Sequence, residues 1–189
     1  MRPGAYYRSL VTQHLGIRPG EGWTLDLGAG DGSVFGGART VSLDTAARRG
    51  FVRGDGTALP FRCGSFETVL ALDVLEHVVD DRALLSELGR VSAGAAWVSV
   101  PSNGMRLLLT GVAHRAWGHV RPGYGREEVE KWGDVVEWNE PAYLALYPVI
   151  RVLGWLCPPL TRGIIRLAFA FDKRHTKGDR GHYFCRIAT

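Results

Sequence analysis

Short apolar runs, each closed by a turn-forming residue, recur along the chain and predict its strands. Apolar runs of this length that end at glycine, aspartate or proline are typical of buried strands in a sheet. Seven runs of this kind span residues 23–27, 40–44, 51–53, 67–73, 95–100, 135–138 and 182–187.

Helical patterns fall between several of these runs. They cover residues 5–16 and 82–91, with a further short helix beginning at Glu127 and Glu128. Asp80 and Asp81 are typical N-cap residues, and Leu84, Leu88 and Val91 share one helical face that we expect to cover the sheet. Strands that alternate with helices or loops predict an α/β fold with a mostly parallel sheet covered on both faces.

Residues 141–171 form an unusually apolar block whose charged residues are Arg151, Arg162 and Arg166. Prolines interrupt it, and no unbroken apolar run reaches the ~20 residues that a membrane span needs. We expect two short helices, at about 142–156 and 160–171. The block fits packed core, a lid, a protein interface or an element on a membrane surface.

Composition predicts one domain, residues 1–189, with a formal net charge of +4 and a pI of about 9.2. The densest basic cluster comprises Lys173, Arg174, His175, Lys177 and Arg180. A solvated loop explains this cluster better than a phosphate-bearing partner does, so the nucleic-acid signal is weak.

Cys63, Cys157 and Cys185 lie far apart and show no ligand spacing, so we expect reduced thiols, no disulfide and no metal site. The start of the chain lacks the apolar stretch of a signal peptide. These features favour a cytoplasmic protein, with residues 141–171 as its candidate contact with a membrane.

A glycine loop follows the first predicted strand and reads Asp26-Leu-Gly28-Ala29-Gly30-Asp-Gly32. Glycines allow a ligand to approach the backbone closely. A dinucleotide loop of the G-x-G-x-x-G type needs a glycine where Ser33 stands. The Asp26 carboxylate would repel a pyrophosphate but accept a hydrogen bond from an ammonium group.

Two further acidic residues end the next strands. Asp44 follows the second strand, where a carboxylate can accept from both hydroxyls of a ribose. Asp55 follows the third, where it can accept from the adenine amine while the Gly56 N–H donates to a ring nitrogen. The three strand ends together suit a ligand that joins an amino acid to adenosine.

These motifs resemble those of the class I S-adenosylmethionine (SAM)-dependent methyltransferases, in the branch that includes the quinone-biosynthesis enzymes. The matching segments are residues 24–32, 41–44, 55–61, 64–67 and 72–78, with a weaker continuation at 119–124.

The resemblance implies a Rossmann-like three-layer sandwich whose seven-stranded, mostly parallel sheet ends in an antiparallel strand. It implies SAM as cofactor, held by Asp26, Gly28, Ala29 and Gly30 at the methionine part, Asp44 at the ribose, Asp55 and Gly56 at the adenine, and Leu72 and Asp73 along its length.

The chain departs from the family pattern at three places. The spacings from Gly32 to Val41 and from Asp44 to Asp55 are short, so we expect shortened helices after the first two strands. The apolar block at 141–171 is an insertion. If the sixth strand is parallel, this block starts on the ligand side of the sheet.

Methyl transfer from a sulfonium is a direct displacement, so alignment supplies most of the rate and a base is needed only for some acceptors. His77 and His119 are the candidate catalytic residues. We expect Glu76 to form a salt bridge or a cap, and Tyr6 and Tyr7 to pack in the core or on the surface rather than cover the cofactor.

The expected acceptor is small, apolar or lipid-linked. The alternatives are a non-catalytic SAM-binding partner subunit, an RNA or protein methyltransferase and, last, a nicotinamide-dependent oxidoreductase.

Overall fold

The computed structural model describes residues 3–30, 37, 39–46, 49–103, 118–174 and 181–187. These residues form one sheet of seven strands. The strands are β1 (Thr24–Leu27), β2 (Thr40–Asp44), β3 (Val52–Arg53), β4 (Phe66–Leu72), β5 (Ser92–Pro101), β6 (Gly133–Asn139) and β7 (Gly181–Ile187).

The sheet has the strand order β3-β2-β1-β4-β5-β7-β6. Strands β1 to β5 pair in parallel, whereas β7 is antiparallel to both β5 and β6. Strand β6 therefore runs in the same direction as β1, and the prediction of a mostly parallel sheet with an antiparallel last strand is confirmed. The strand order reverses between β1 and β4, and ligands bind α/β sheets beside such a reversal.

The predicted helices are present. They are α1 (Pro3–His14), α2 (Asp81–Val91), α3 (Arg126–Val129), α4 (Pro141–Leu156) and α5 (Pro158–Asp172), with a 3-10 turn at Leu75–His77. The Asp80 side chain accepts a hydrogen bond from the Ala83 N–H at 2.9 Å, which confirms the expected cap of α2.

The helices after β1 and β2 were expected to be short, and the structure describes most of the second connection but little of the first. Between β2 and β3, the described residues 45, 46 and 49–51 form bends and turns rather than a helix, as expected. The segment between Gly32 and Val41 lies largely outside the described residues.

Each face of the sheet carries its own hydrophobic core, and β4 contributes side chains to both. Val69 and Ala71 lie in the core that includes α2, whereas Leu70 and Leu72 lie in the core formed with α1, α4 and α5. This alternation follows from the two-residue period of a strand. It yields the three layers that the sequence predicts.

Helices α4 and α5 form a hairpin that meets at Cys157 and packs against α1. We call this pair, residues 141–172, the helical hairpin. Because β6 is parallel, the hairpin starts at the carboxyl ends of the strands. None of the helices in the described part of the chain is long and apolar enough to span a bilayer.

Candidate functional site

A cavity of about 300 Å³ opens at the carboxyl ends of β1, β2 and β4. Its volume lies at the lower end of the range for small-molecule sites, about 300–1,000 Å³. The lining includes six of the residues predicted from sequence: Gly28, Asp44, Asp55, Gly56, Asp73 and His77. The cavity is therefore where the strand-end motifs meet.

Gly28 ends β1 in a conformation that favours glycine, with a φ of 67°. Its N–H donates to the Leu43 carbonyl at 2.8 Å, which ties the loop to β2. A Cβ atom at this position would lie 2.5 Å from Cγ2 of Val74, well inside van der Waals contact. Both the backbone and the space around it thus require glycine.

Asp44 shapes the glycine loop as well as lining the cavity. Its Oδ2 accepts from the Gly30 N–H at 3.0 Å, and its Oδ1 accepts from the Ala46 N–H at 2.9 Å. A carboxylate offers about four acceptor positions, so each oxygen retains capacity for one more donor. Asp44 can therefore accept from a ribose diol without losing these two bonds.

Asp55 follows β3 and lines the same cavity. Its Oδ1 accepts from the Thr57 N–H at 2.9 Å and from the Thr57 hydroxyl at 2.8 Å. These two bonds lower the pKa of Asp55, so the carboxylate is ionised at neutral pH. An ionised carboxylate is a strong acceptor for an exocyclic amine.

Asp73 follows β4 with a φ of 56°, an uncommon conformation for a residue other than glycine. Its carboxylate accepts from Arg8 Nε at 2.6 Å and from the Ser99 hydroxyl at 2.6 Å. Burial alone would raise its pKa, but the charges of Arg8 and His182 outweigh burial and hold the pKa at about 2. Asp73 is thus fixed as an anion at the cavity wall.

The partners of Asp73 belong to a buried group that we call the Arg8 network: Arg8, Asp73, Glu140 and His182. Arg8 Nη1 donates to Glu140 at 3.1 Å, and His182 Nδ1 lies 2.8 Å from the same carboxylate. Burial raises the pKa of Glu140, but Arg8 and His182 lower it overall. The network joins α1, β4, β7 and the start of the helical hairpin.

The sequence analysis missed Arg8, Glu140 and His182. One signal was available, since Arg8 stands in a helix with few other charges and His182 begins an apolar strand. Charged or titratable residues that are fully buried are almost always paired. That signal marks them as buried partners but does not identify the residues that they contact.

Four predicted cofactor residues do not line the cavity. The Leu72 side chain lies in the core beside α1, because it alternates with Asp73 on the strand. Asp26 is buried within β1, and Ala29 and Gly30 are half-buried beside the cavity. The rest of the glycine loop, residues 31–36, lies outside the described residues.

The two candidate catalytic histidines are neighbours. The rings of His77 and His119 contact edge to face, with centroids 4.7 Å apart. His77 Nδ1 lies 3.2 Å from the Gly118 carbonyl, which accepts a hydrogen bond when that nitrogen is protonated. The structure therefore brings a residue of the 3-10 turn and a residue of a distant loop to one side of the cavity.

Among the described residues, Glu76 forms neither the salt bridge nor the helix cap expected from the sequence. The 3-10 turn directs its side chain inward, where it is 1% exposed. Within the described part of the chain its Oε2 has no hydrogen-bond partner. Burial, and then the charge of Asp73, raise the pKa of Glu76 well above its usual value.

Tyr7 packs in the core, as expected. It stacks on Tyr143 with ring centroids 3.9 Å apart, and its hydroxyl donates to Asp172 at 2.6 Å. Tyr6 lies at the edge of the same core, where its hydroxyl accepts from Arg166 Nε at 2.7 Å. Both tyrosines thus join α1 to the helical hairpin.

Comparison with known proteins agrees with this geometry. Residues 25–98 match the family model described as a methyltransferase domain. No curated protein matches the chain in sequence.

Solved structures with a similar fold include a SAM-dependent methyltransferase from Archaeoglobus fulgidus, with 14% identity, a TM-score of 0.62 and coverage of 98% of this chain and 94% of that one. Phosphoethanolamine N-methyltransferase 2 of Haemonchus contortus, solved with S-adenosyl-L-methionine, has 16% identity and a TM-score of 0.60, covering 98% of this chain and 53% of that one. The [4+2]-cyclase SpnF has 14% identity and a TM-score of 0.53, covering 94% of this chain and 79% of that one. At these identities the likeness is one of fold.

Proposed function

We propose that the chain is a class I, SAM-dependent methyltransferase that acts on a lipid-linked acceptor at a membrane surface, since residues 25–98 match the model of a methyltransferase domain. SAM is the cofactor of this domain. It supplies a methyl group on a sulfonium, which is a good leaving group for a direct displacement. The quinone-biosynthesis subtype plays no part in the proposal.

The charges of the cavity support SAM over a dinucleotide. The carboxylates of Asp44, Asp55 and Asp73 line it, and each is an acceptor for a hydrogen-bond donor. SAM offers such donors as a diol, an amine and an ammonium group, whereas a pyrophosphate would meet three like charges. The residues would hold and align the cofactor, and alignment accounts for much of the rate in such transfers.

The observation that carries the choice of acceptor is the outer surface of the helical hairpin. Val152, Leu156 and Leu167 are 63%, 71% and 72% exposed. Val149, Leu160 and Phe171 are also exposed. On each helix these residues recur at helical spacing, opposite or beside the buried positions, so they form apolar stripes. A soluble chain that exposes so many large apolar side chains on one element favours an interface there.

The charges beside these stripes favour an anionic lipid surface as the partner. Arg151, Arg162 and Arg166 are exposed, and residues 141–171 contain no acidic residue. Among the described residues, no carboxylate lies within ion-pair distance of Arg162 or Arg166. Apolar side chains flanked by arginines are typical of helices that lie in the headgroup region of a membrane.

The base of the helical hairpin lies close to the cofactor cavity. Glu140, the residue before α4, contacts Arg8, and Arg8 contacts Asp73 at the cavity wall. A surface that docks the hairpin on a membrane would therefore hold the cavity near the headgroups. This supports an acceptor carried by a lipid over one free in solution.

Vesicle sedimentation tests the docking surface. We expect the chain to bind vesicles of phosphatidylglycerol and phosphatidylcholine, but not phosphatidylcholine alone. The double variants Leu156→Glu/Leu167→Glu and Arg162→Gln/Arg166→Gln should each weaken binding at least ~10-fold. The matched controls Val79→Glu, which is 87% exposed, and Arg18→Gln/Arg62→Gln should bind as the wild type does.

Transfer of radiolabelled methyl from SAM to a membrane extract tests the activity. We expect the label in the organic phase, reduced by the hairpin variants and retained by the controls. Label found in RNA, protein or a water-soluble compound would contradict a lipid-linked acceptor. So would hairpin variants that bind vesicles as tightly as the wild type does.

A second function, that of a SAM-binding subunit without turnover, is favoured by the described residues between β2 and β3, which form no helix, and by the same exposed hairpin. It predicts SAM binding with no labelled product from any extract. It also predicts a stable complex with a partner protein that the Leu156→Glu/Leu167→Glu variant disrupts.

A further inference from the structure

Three side chains with metal-binding atoms meet beside the cofactor cavity because the backbone joins their two segments. The Val120 and Arg121 N–H groups both donate to the Glu76 carbonyl, at 2.8 and 3.1 Å. The loop residue His119 is thereby held against the 3-10 turn that carries Glu76 and His77. One ligand atom from each of these three side chains lies within 4.8 Å of the other two.

The Glu76 carboxylate is the strongest sign that this cluster binds something. It is 1% exposed, and its Oε2 has no hydrogen-bond partner in the described part of the chain. Burying a carboxylate without a partner is costly, and native structures satisfy nearly all such groups. A cation beside Glu76 would give Oε2 the partner that it lacks among the described residues.

The position of His77 suits a metal ligand. With its Nδ1–H donated to the Gly118 carbonyl, 3.2 Å away, the ring presents a lone pair on Nε2. Histidines that bind metals commonly hold their second nitrogen on a carbonyl or carboxylate in this way, which fixes the ring orientation.

We propose that Glu76, His77 and His119 form a binding site for a divalent transition-metal ion of the zinc class. Two imidazoles and one carboxylate are a donor set that proteins use for such ions, with further positions left for substrate or water. Ligands about 2.1 Å from a metal in tetrahedral geometry lie about 3.4 Å apart. Rotation of the half-buried His119 side chain can close the remaining gap while His77 keeps its hydrogen bond to the Gly118 carbonyl.

Cysteine and histidine spacing did not predict this site, because the ligands follow no compact motif. Glu76 and His77 are adjacent, whereas His119 stands 42 positions after His77. The expectation of no metal site rested on the cysteines, which play no part in the cluster.

The place of the cluster suggests what the ion does, a role that rests on the proposed methyl transfer. His77 lines the cavity together with Gly28 and Val74. An acceptor hydroxyl that binds the ion in an open position loses its proton to water more readily. Its oxygen then bonds to the methyl carbon while the carbon–sulfur bond breaks. The electron pair stays on sulfur and leaves S-adenosylhomocysteine.

Calorimetry with Zn²⁺ alone, on a tag-free chain without SAM or acceptor, tests the site. We expect one ion per chain at micromolar strength or tighter. Glu76→Gln and His119→Asn should each weaken binding at least ~10-fold, as loss of a metal-coordinating partner typically does. His14→Asn is the matched control, since His14 is an exposed histidine on α1, and it should bind as the wild type does.

Thermal unfolding distinguishes a loss of Zn²⁺ binding from a folding defect in the variants. Glu76→Gln replaces a buried carboxyl group that lacks a partner among the described residues with an amide of the same shape, so this variant should fold and melt close to the metal-free wild type. Zn²⁺ should raise the Tm of the wild type and of His14→Asn, but not that of Glu76→Gln.

No Zn²⁺ binding by the folded wild type, or equal binding by Glu76→Gln and His119→Asn, overturns the site. Because these measurements use neither SAM nor acceptor, that failure leaves the proposed methyl transfer intact. Conversely, a chain that binds Zn²⁺ at this site but transfers no methyl group supports the site and rejects the role.

Discussion

The cofactor cavity and the Arg8 network adjoin each other at Asp73, yet their polar groups are held in opposite ways. Asp55 bonds to a residue two positions away, and Asp44 to residues two and fourteen positions away. Arg8 contacts partners 65, 132 and 174 positions away. The cavity is built mainly from local turns, whereas the network depends on the whole fold.

This contrast bears on what each region can bind. Asp44 and Asp55 line the cavity and keep unused acceptor positions, so a ligand can donate hydrogen bonds to their carboxylates. Arg8, Glu140 and His182 are buried and bond to one another, which satisfies them within the chain. We infer that the network supports the site through Asp73, while the cavity carboxylates contact the cofactor.

Removing the centre of the network should have the largest effect. Arg8→Met removes the arginine that pairs with both the buried Glu140 carboxylate and the Asp73 carboxylate, and leaves them His182 alone. Breaking a buried ion pair in this way typically costs about 3–5 kcal/mol. Urea unfolding followed by circular dichroism measures the loss of free energy.

Arg166→Met provides the control for that variant. Arg166 is exposed and bonds to the Tyr6 hydroxyl, so its loss should cost less than about 1 kcal/mol. Equal losses for Arg8→Met and Arg166→Met would show that the network does not hold the fold together.

A smaller effect is expected at Gly28 of the glycine loop, and Gly50, in the turn between β2 and β3, separates backbone strain from steric collision. Gly28→Ala places a Cβ in a left-handed conformation and 2.5 Å from Val74, whereas Gly50→Ala has the strain, with a φ of 81°, and open space. We expect a loss of about 1 kcal/mol for Gly50→Ala and about 1–3 kcal/mol more for Gly28→Ala.

The same pair tests where the cofactor binds. SAM affinity should fall for Gly28→Ala and stay unchanged for Gly50→Ala, measured by calorimetry. If the two variants lose the same stability and bind SAM equally, the close approach of Gly28 to Val74 has no role.

Residues predicted correctly from sequence are those whose environment is set by their own strand. Asp44 and Asp55 could be placed because parallel strands bring their carboxyl ends to one edge of the sheet. The two short helices of the hairpin could be placed from apolar content and prolines alone. In each case a local pattern determines the geometry.

Residues that the sequence could not place depend on contacts between distant elements. Arg8 contacts His182 because α1 packs on the sheet beside β7, which lies between β5 and β6. Likewise, His119 meets His77 only through backbone hydrogen bonds between its loop and the 3-10 turn. Leu72 is a different case, since strand alternation already implies that it faces away from Asp73.

Calorimetric titration with SAM tests the central claim most directly, with NAD as a second ligand and Asp44→Ala and Asp134→Ala as paired variants. Asp134 is an exposed carboxylate on β6, away from the cavity. We predict micromolar SAM binding by the wild type and by Asp134→Ala, no NAD binding, and a loss of about 10-fold or more for Asp44→Ala, the worth of one hydrogen bond to a charged group. A folded wild-type chain that binds no SAM, or an Asp44→Ala variant that binds it as tightly, would contradict the account.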